Sequence, residues 1–443
     1  MLTVLALVFT CAVAAYLFYS RRSKYWKERN IPGPTGSFFL GSARELLLKS
    51  NPRAIQFNKW TKEYGKTYGV MEGIRPLLVT SDLNIVQEVF VKQFDNFHER
   101  WNMLTNTQDN NPKMTLFESR GTRWKRLRAI SSPSFSIFMR EFDNPIIRLN
   151  IALPILNRPT IFLMETLGSV LTDDSDKLFK DVQENVKQRI VNRAPGEATE
   201  RKFTDFIDLF LNSATDEKLS EEFVDFKLNE AQVSKTLSVN EVVAQAVIFL
   251  IAGFDTTANA LGYTSWMLAK HPEVLKRCQE EVDEFCPEES ISYEDLSNLR
   301  YLEATCKEAL RFYPLAAFAN SRICVRKADI QGLIIEEGTA IAADALSIHF
   351  DRDIWGDDVD EFNPDRWLNG STSNVPPYAY LPFGAGPRIC VGMRLAMLEE
   401  KLALAHLLRK FSIVTDAKDE ELKVHGCITI TPVEVPVRIE RRR

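Results

Sequence analysis

The 443-residue chain is long enough for one very large domain or two to three ordinary ones, and 45% hydrophobic with 26% charged residues is the composition of an ordinary globular protein. A net charge of −5 supplies no global field to attract nucleic acid. The 7 cysteines are odd in number and widely spaced with no C-x-x-C, and none of the 5 histidines stands four residues from another, so a disulfide framework, a zinc ribbon, a thioredoxin-like site and an H-E-x-x-H zinc site are not indicated.

Residues 1–20 carry no charged side chain, and Leu2, Val4, Leu5, Leu7, Val8, Phe9, Val13, Leu17 and Phe18 make a stretch long enough to span a bilayer. Arg21, Arg22, Lys24 and Lys27 follow at once. A cleaved secretory signal is the alternative, with Ala12-Val13-Ala14 resembling a cleavage site, but a signal places its positive charge before the apolar run. The positive-inside rule then puts the body of the protein in the cytosol. The basic and Pro/Gly-containing stretch 21–36 reads as a linker, with Pro32-Gly33-Pro34 a stiff, directed turn, and the remaining chain, 37–443, as one domain. Leu78-Val79-Thr80 is consistent with a strand. Trp124-Lys125-Arg126-Leu127-Arg128 reads, taken alone, as an ordinary amphipathic basic helix.

The clearest helix starts near Ser238, where Ser238-x-x-Glu241 has the capping-box pattern. Its apolar pattern runs from Val239 to Leu268, and Pro272 ends it by pushing His271 away from helical angles. About thirty residues at 1.5 Å each give a helix of roughly 45 Å, able to cross a whole domain. It is nearly apolar all round over Val242–Ile251 and is expected to be buried there. Midway, Ala252-Gly253-Phe254-Asp255-Thr256-Thr257 forms a polar notch, in which Gly253 weakens the helix and Thr256 can bond back to a carbonyl. Farther on, Glu308-x-x-Arg311 lies on a helix ending at Tyr313-Pro314; residues three apart share a face, and alone such a pair reads as solvated. Ile330–Ala342, broken by Gly332 and Gly338, reads as hairpin strands. Short strands among long helices predict a mainly α (α+β) fold.

The most informative stretch is Leu381-Pro382-Phe383-Gly384-Ala385-Gly386-Pro387-Arg388-Ile389-Cys390-Val391-Gly392. Two glycines and a proline build a tight loop, and a helical pattern follows from Val391 to about Lys410. Cys390 therefore sits at a helix N-terminus, where the dipole favours a thiolate, and a thiolate facing N–H groups in an apolar pocket suits an axial ligand for haem iron. A dinucleotide loop is the competing reading, but Ile389 occupies the third glycine position of G-x-G-x-x-G.

These residues fill every position of F-G-x-G-x-R-x-C-x-G, and the chain resembles the cytochrome P-450 family from its anchor to its C-terminal strands. In detail it is most similar to animal microsomal members of the drug-metabolising clan, nematode ones among them. The resemblance implies a triangular, mostly helical domain with a small β-sheet region, an N-terminal transmembrane anchor and haem b as cofactor. It implies Cys390 as axial iron ligand, with Phe383 in the cofactor-binding loop. Trp124 and Arg128 match the family's Trp-x-x-x-Arg contacts to a haem propionate, and Arg388 and, less closely, Arg322 match further propionate contacts. Glu308 and Arg311, with Arg366 in Asn363-Pro364-Asp365-Arg366-Trp367, match a buried structural cluster behind the haem. Thr256 would orient the reacting oxygen and Asp255 would deliver protons. Lys125, Arg126 and Arg394 are candidates to meet an acidic redox partner. The substrate pocket would use Phe254, the segment Leu315–Asn320 and the loops after Phe97.

The match breaks in one place. Arg128 and Asp255 are 127 positions apart. In the family this interval is longer by about fifty residues, roughly four average helices. The shortfall falls just after Ser131-Ser132-Pro133-Ser134-Phe135-Ser136, where the family places two helices packed on the long one; here the chain runs to Ile137-Phe138-Met139-Arg140 and a stretch marked by Pro145, Pro154 and Pro159. Losing such helices would expose apolar faces. The resemblance thus implies a monooxygenase that inserts one oxygen atom from O2 into a small lipophilic molecule. Its electrons would come from NADPH through a separate cytochrome P-450 reductase, with cytochrome b5 as a further donor, at the endoplasmic reticulum membrane. The alternatives are a haem-binding copy without turnover and a reductase-independent isomerase or dehydratase; Asp255-Thr256 favours oxygen activation over the latter.

Overall fold

A computed structural model of the chain describes residues 2–48, 50–100, 111, 114–132, 173–191, 207, 210–211, 213–214, 226–288, 290–368, 370, 375–426 and 429–442. The stretch around Ser134–Arg140, Pro145, Pro154 and Pro159, where the shortfall is expected, lies outside the described residues, as do positions 101–110 of the loops after Phe97. The named helices are α1 (Leu2–Ser23), α2 (Arg53–Tyr64), α3 (Leu83–Gln87), α4 (Gly121–Ser131), α5 (Asp173–Val191), α6 (Val239–Lys270), α7 (Pro272–Phe285), α8 (Arg300–Phe312) and α9 (Met393–Leu408). Helix α1 and helix α6 are both long and apolar enough to cross a membrane; the span beginning at Thr3 is fully exposed, whereas α6 is half buried in the domain.

Helix α6 begins as its sequence dictates. The Ser238 hydroxyl accepts from the Glu241 N–H at 3.3 Å, while Glu241 Oε2 accepts from the Ser238 N–H at 3.0 Å. It ends at His271, and Pro272 starts α7 at a position where its missing N–H is not needed. Its two halves belong to different cores. Val242, Val243, Val247, Ile248 and Phe249 pack with Leu127 and Ile130 of α4 and Val186 of α5. Tyr263, Trp266, Met267 and Leu268 pack with Leu275 of α7, Leu302 and Leu310 of α8, and Leu404 and Leu408 of α9. Burial over Val242–Ile251 holds with one correction: Leu250 is 46% exposed, and one turn on Phe254 is 69% exposed. These two share the one stripe of the helix that neither core covers.

The small sheet has the order β1-β2-β6-β3, with β1 (Thr67–Glu72), β2 (Arg75–Thr80), β3 (Ser321–Ile323) and β6 (Ala340–Ala343). Strand β6 runs parallel to β2, pairing Leu78 with Ile341, and antiparallel to β3. The hairpin expected over Ile330–Ala342 is shorter and lies earlier: β4 (Ala328–Ile330) pairs with β5 (Leu333–Ile335). Gln331 and Gly332 between them both have positive φ, the backbone a two-residue hairpin loop requires. After Gly338 the chain leaves the hairpin, and β6 joins the larger sheet.

Candidate active site

The loop before α9 is shaped by contacts that leave no room for side chains. Gly384 and Gly386 both have positive φ, and a Cβ on Gly386 would meet the Phe90 carbonyl oxygen at 1.9 Å. The Cys390 N–H donates to the Phe383 carbonyl at 2.8 Å, closing the loop. Helix α9 starts at Met393, with Gly392 as its N-cap, later than the Val391 read from the sequence. The Gly392 and Met393 amides of this helix end favour the thiolate, but they are not the largest influence on it. Burial pushes the thiol up more than the Gly392 amide, the guanidiniums of Arg100 and Arg128 and the Met393 amide pull it down.

Cys390 lines a cavity whose walls come from distant parts of the chain. Helix α6 contributes Ile248, Phe249, Ala252 and Thr256; Leu315, Ala316, Phe318 and Ala319 follow α8; Leu116 and Phe117 come from the turn before α4. Trp124, Arg128, Phe383, Arg388 and Arg100 complete it. The Thr256 hydroxyl donates to the Ala252 carbonyl at 2.5 Å. Asp255 is buried but does not line the cavity, since adjacent helical positions point about 100° apart. Phe254, read as a pocket residue, is on the exposed face and does not line the cavity. A larger groove, about 1420 Å³, opens near the far end of α6 beside Trp266, His271, Phe312 and Phe362, but it contains none of the motif residues.

Guanidinium groups from three other parts of the chain converge on the loop, and a fourth, Arg388, belongs to it. Arg128 Nη1 donates to the Ile389 carbonyl at 2.7 Å, Arg100 Nη2 to the Arg388 carbonyl at 2.8 Å and Arg322 Nη2 to the Ala385 carbonyl at 3.0 Å. Arg388 Nη2 donates to the Ser119 carbonyl at 2.5 Å, and its guanidinium lies 4.7 Å from the Trp124 ring centroid. Arg322 and Arg388 are almost wholly buried, yet Nε of Arg100, Arg322 and Arg388 and Nη1 of Arg388 have no partner among the described residues. Burial first, then the charge of Arg100, pulls Arg322 and Arg388 well below the usual guanidinium range; burial pulls Arg100 down to about 10. Glu99, whose charge opposes this at Arg388, is itself paired with Arg120 at 2.8 Å. Buried cations with idle donors call for an anion. Arg322 grips the loop from behind and does not line the cavity. Arg100 was not singled out by sequence reasoning, because nothing in Phe97-His98-Glu99-Arg100 separates it from a surface arginine.

Behind the loop, Glu308 and Arg311 are fully buried and paired at 2.9 Å, so they are not a solvated surface pair. Glu308 also accepts from Arg366 Nε at 3.4 Å and Trp367 Nε1 at 2.8 Å, and Arg366 reaches Asp358 at 2.9 Å. His349, which carried no sequence signal, joins this cluster to the loop. Its Nε2 accepts from the Leu381 N–H at 2.8 Å, so Nδ1–H donates to the Arg311 carbonyl at 3.0 Å. Burial pulls this imidazole down to about 3, which keeps the neutral tautomer that both bonds require. Two residues read as partner contacts are already engaged. Arg126 is buried and paired with Glu241 at 2.8 Å, and Lys125 donates to the Leu228 and Ala231 carbonyls. Arg394 is exposed.

The profile of the Cytochrome P450 family matches residues 31–147 and 137–436. A Caenorhabditis elegans protein named as a cytochrome P450, cyp-13B1, is 36% identical over 496 aligned positions, covering 94% of this chain and 95% of that protein. CYP13A1 of the same organism is 36% identical over 507 positions, with 97% of each chain covered. A cysteine loop in this geometry, on a mainly helical domain matched along nearly its whole length, makes this chain a member of the cytochrome P450 family, a haem-dependent monooxygenase.

Proposed function

We propose that Cys390 is the axial thiolate ligand and that the chain inserts one atom of O2 into a small lipophilic substrate. Electrons come from NADPH through a separate reductase, with cytochrome b5 as a second donor; the other oxygen atom leaves as water with two electrons and two protons. The observation that carries this reading is the placing of the half-buried Cys390 thiol beside Arg100 and Arg388, whose guanidiniums keep idle donors, around one apolar cavity. A haem fits that donor set. Cys390 would hold the iron through its sulfur, Trp124, Arg100, Arg128 and Arg388 would serve the anionic propionates, and Phe383 and Ala252 would supply apolar surface. Bound haem would supply the oxygen-activating chemistry. Arg322 holds the loop at Ala385, and Glu308, Arg311 and Arg366 fix the framework behind it.

Thr256 orients the reacting oxygen by turning its hydroxyl from the Ala252 carbonyl into the cavity, and Asp255, one position away, supplies protons through water. Thr256→Ala is expected to retain haem while product formed per NADPH consumed falls several-fold, the difference leaving as hydrogen peroxide. Unchanged coupling would count against the role.

The same reading puts α1 across the endoplasmic reticulum membrane with the domain in the cytosol. Its 22 residues, with Arg21 and Arg22 in the last turn and Lys24 just beyond, support this. Alkaline carbonate should leave the full-length chain in the membrane pellet and release a chain starting near Arg21. Extraction of both would show that α1 does not span.

We also propose that the chain lacks a segment of about fifty residues after position 136, roughly four average helices. The 496 positions aligned with cyp-13B1 exceed the whole length of this chain, and the family match is split at 137–147. The exposed Leu250 and Phe254 are the apolar stripe such a segment would cover. This observation also favours the second reading, a haem-binding copy without turnover. Burying one large apolar side chain contributes roughly 1.5–3 kcal/mol, a large share of a domain's margin. Restoring the segment is expected to raise both haem per polypeptide and melting temperature. Equal values for the two forms would show that the chain covers its own core, and the non-catalytic reading would lose its main support.

A further inference from the structure

Gln245 is a polar side chain on the most apolar stretch of α6, and it is fully buried. Both ends of its amide are used on the backbone of a single turn: Oε1 accepts from the Leu116 N–H at 2.8 Å, and Nε2 donates to the Met114 carbonyl at 3.4 Å. The turn is braced internally. Glu118 accepts from the N–H and hydroxyl of Thr115 at 3.2 and 3.0 Å, and the Ser119 hydroxyl donates to the Thr115 carbonyl at 2.6 Å. Its far end is held by Arg388, which donates to the Ser119 carbonyl. Residues 114–119 thus form a strut from α6 to the Cys390 loop. Two of its side chains, Leu116 and Phe117, line the cavity; Phe117 packs 6.0 Å from Phe318 and lies 4.4 Å from the Arg100 guanidinium.

A buried carboxamide is unfavourable unless its donor and acceptor are satisfied, and a leucine would suit the apolar surroundings without any such demand. What the amide adds is a fixed position for the two residues it bonds. We propose that Gln245 is a positioning residue for specificity. By fixing residues 114–119 on α6, it sets Leu116 and Phe117 as the wall against which bulky apolar ligands pack. The proposal rests on reading the cavity beside Cys390 as the chamber for haem and substrate.

The test uses the full-length, haem-loaded protein and two nitrogenous probes, imidazole and a triphenylmethyl-substituted imidazole, followed by the Soret shift. In Gln245→Leu the bulky probe is expected to bind about tenfold more weakly, as for loss of a buried hydrogen bond, with the Kd of imidazole unchanged. Gln245→Glu keeps the acceptor for Leu116 and the shape, loses the donor to Met114, and is expected to fall between. Hydrogen exchange of the peptide covering 114–119, which needs no haem, should speed up in both variants while that of α9 does not. Unchanged probe affinities with unchanged exchange would overturn the proposal. So would equal weakening of both probes, which marks general loosening. If the unaltered protein gives no Soret response to imidazole, the reading of the cavity fails, and the proposal with it.

Discussion

Cys390→Ser is expected to abolish the long-wavelength Soret band of the reduced, carbon monoxide-treated protein. Serine cannot supply the electron density of a thiolate. The loop itself should survive the change. The bond that closes it runs from the Cys390 N–H to the Phe383 carbonyl, and its outer carbonyls are held by Arg100, Arg128 and Arg322, so none of these contacts uses the sulfur. The gap left by replacing sulfur with oxygen is small. Loss of the band with an unchanged far-ultraviolet spectrum therefore reports the ligand and not unfolding. Retention of the band in the variant would remove Cys390 from the iron.

The second large effect is on stability. Glu308→Ala should cost about 3–5 kcal/mol, the range for breaking one side of a buried ion pair. Arg311 is fully buried, and its Nε and Nη2 both donate to Glu308, at 3.0 and 2.9 Å. Arg366 retains Asp358, so the uncompensated charge falls mainly on Arg311. Against a domain margin of about 5–15 kcal/mol this is a large fraction, and the expected readout is a lower denaturant midpoint with reduced haem recovery. Glu308→Gln, which keeps an acceptor but not the charge, should lose less. A midpoint within error of the unaltered protein for both variants would show that the pair carries no net stability.

What was legible in the sequence was local. The capping box at Ser238, the proline stop at Pro272 and the glycine-shaped cysteine loop each lie within a few residues, and each sets its own backbone. Glu308 and Arg311 were legible as neighbours on one helix face, although their burial was not, since it is created by Arg366, Trp367 and His349 arriving from elsewhere. Arg100, Gln245 and His349 were missed for the same reason. Their partners lie 288, 129 and 32 positions away, and no local pattern marks them. The exposure of Leu250 and Phe254 was hidden because an apolar stripe reads alike whether or not anything covers it. The differing directions of Asp255 and Thr256 were open to inference, because adjacent helical residues point about 100° apart.

The grip of arginines on the cysteine loop has a consequence for how the protein is made. Arg100 and the carbonyl it holds are 288 residues apart, and those of Arg128 are 261 apart. At about 5–20 residues per second, a ribosome needs roughly 15–60 seconds to travel from the first to the second. Throughout that interval the nascent polypeptide displays the cations of the site without the strand of backbone that will bury them. Cys390 is made later than both of these arginines, so neither the ligand nor its cradle exists while they are already outside the tunnel. Cofactor capture therefore waits until the cysteine loop has left the tunnel.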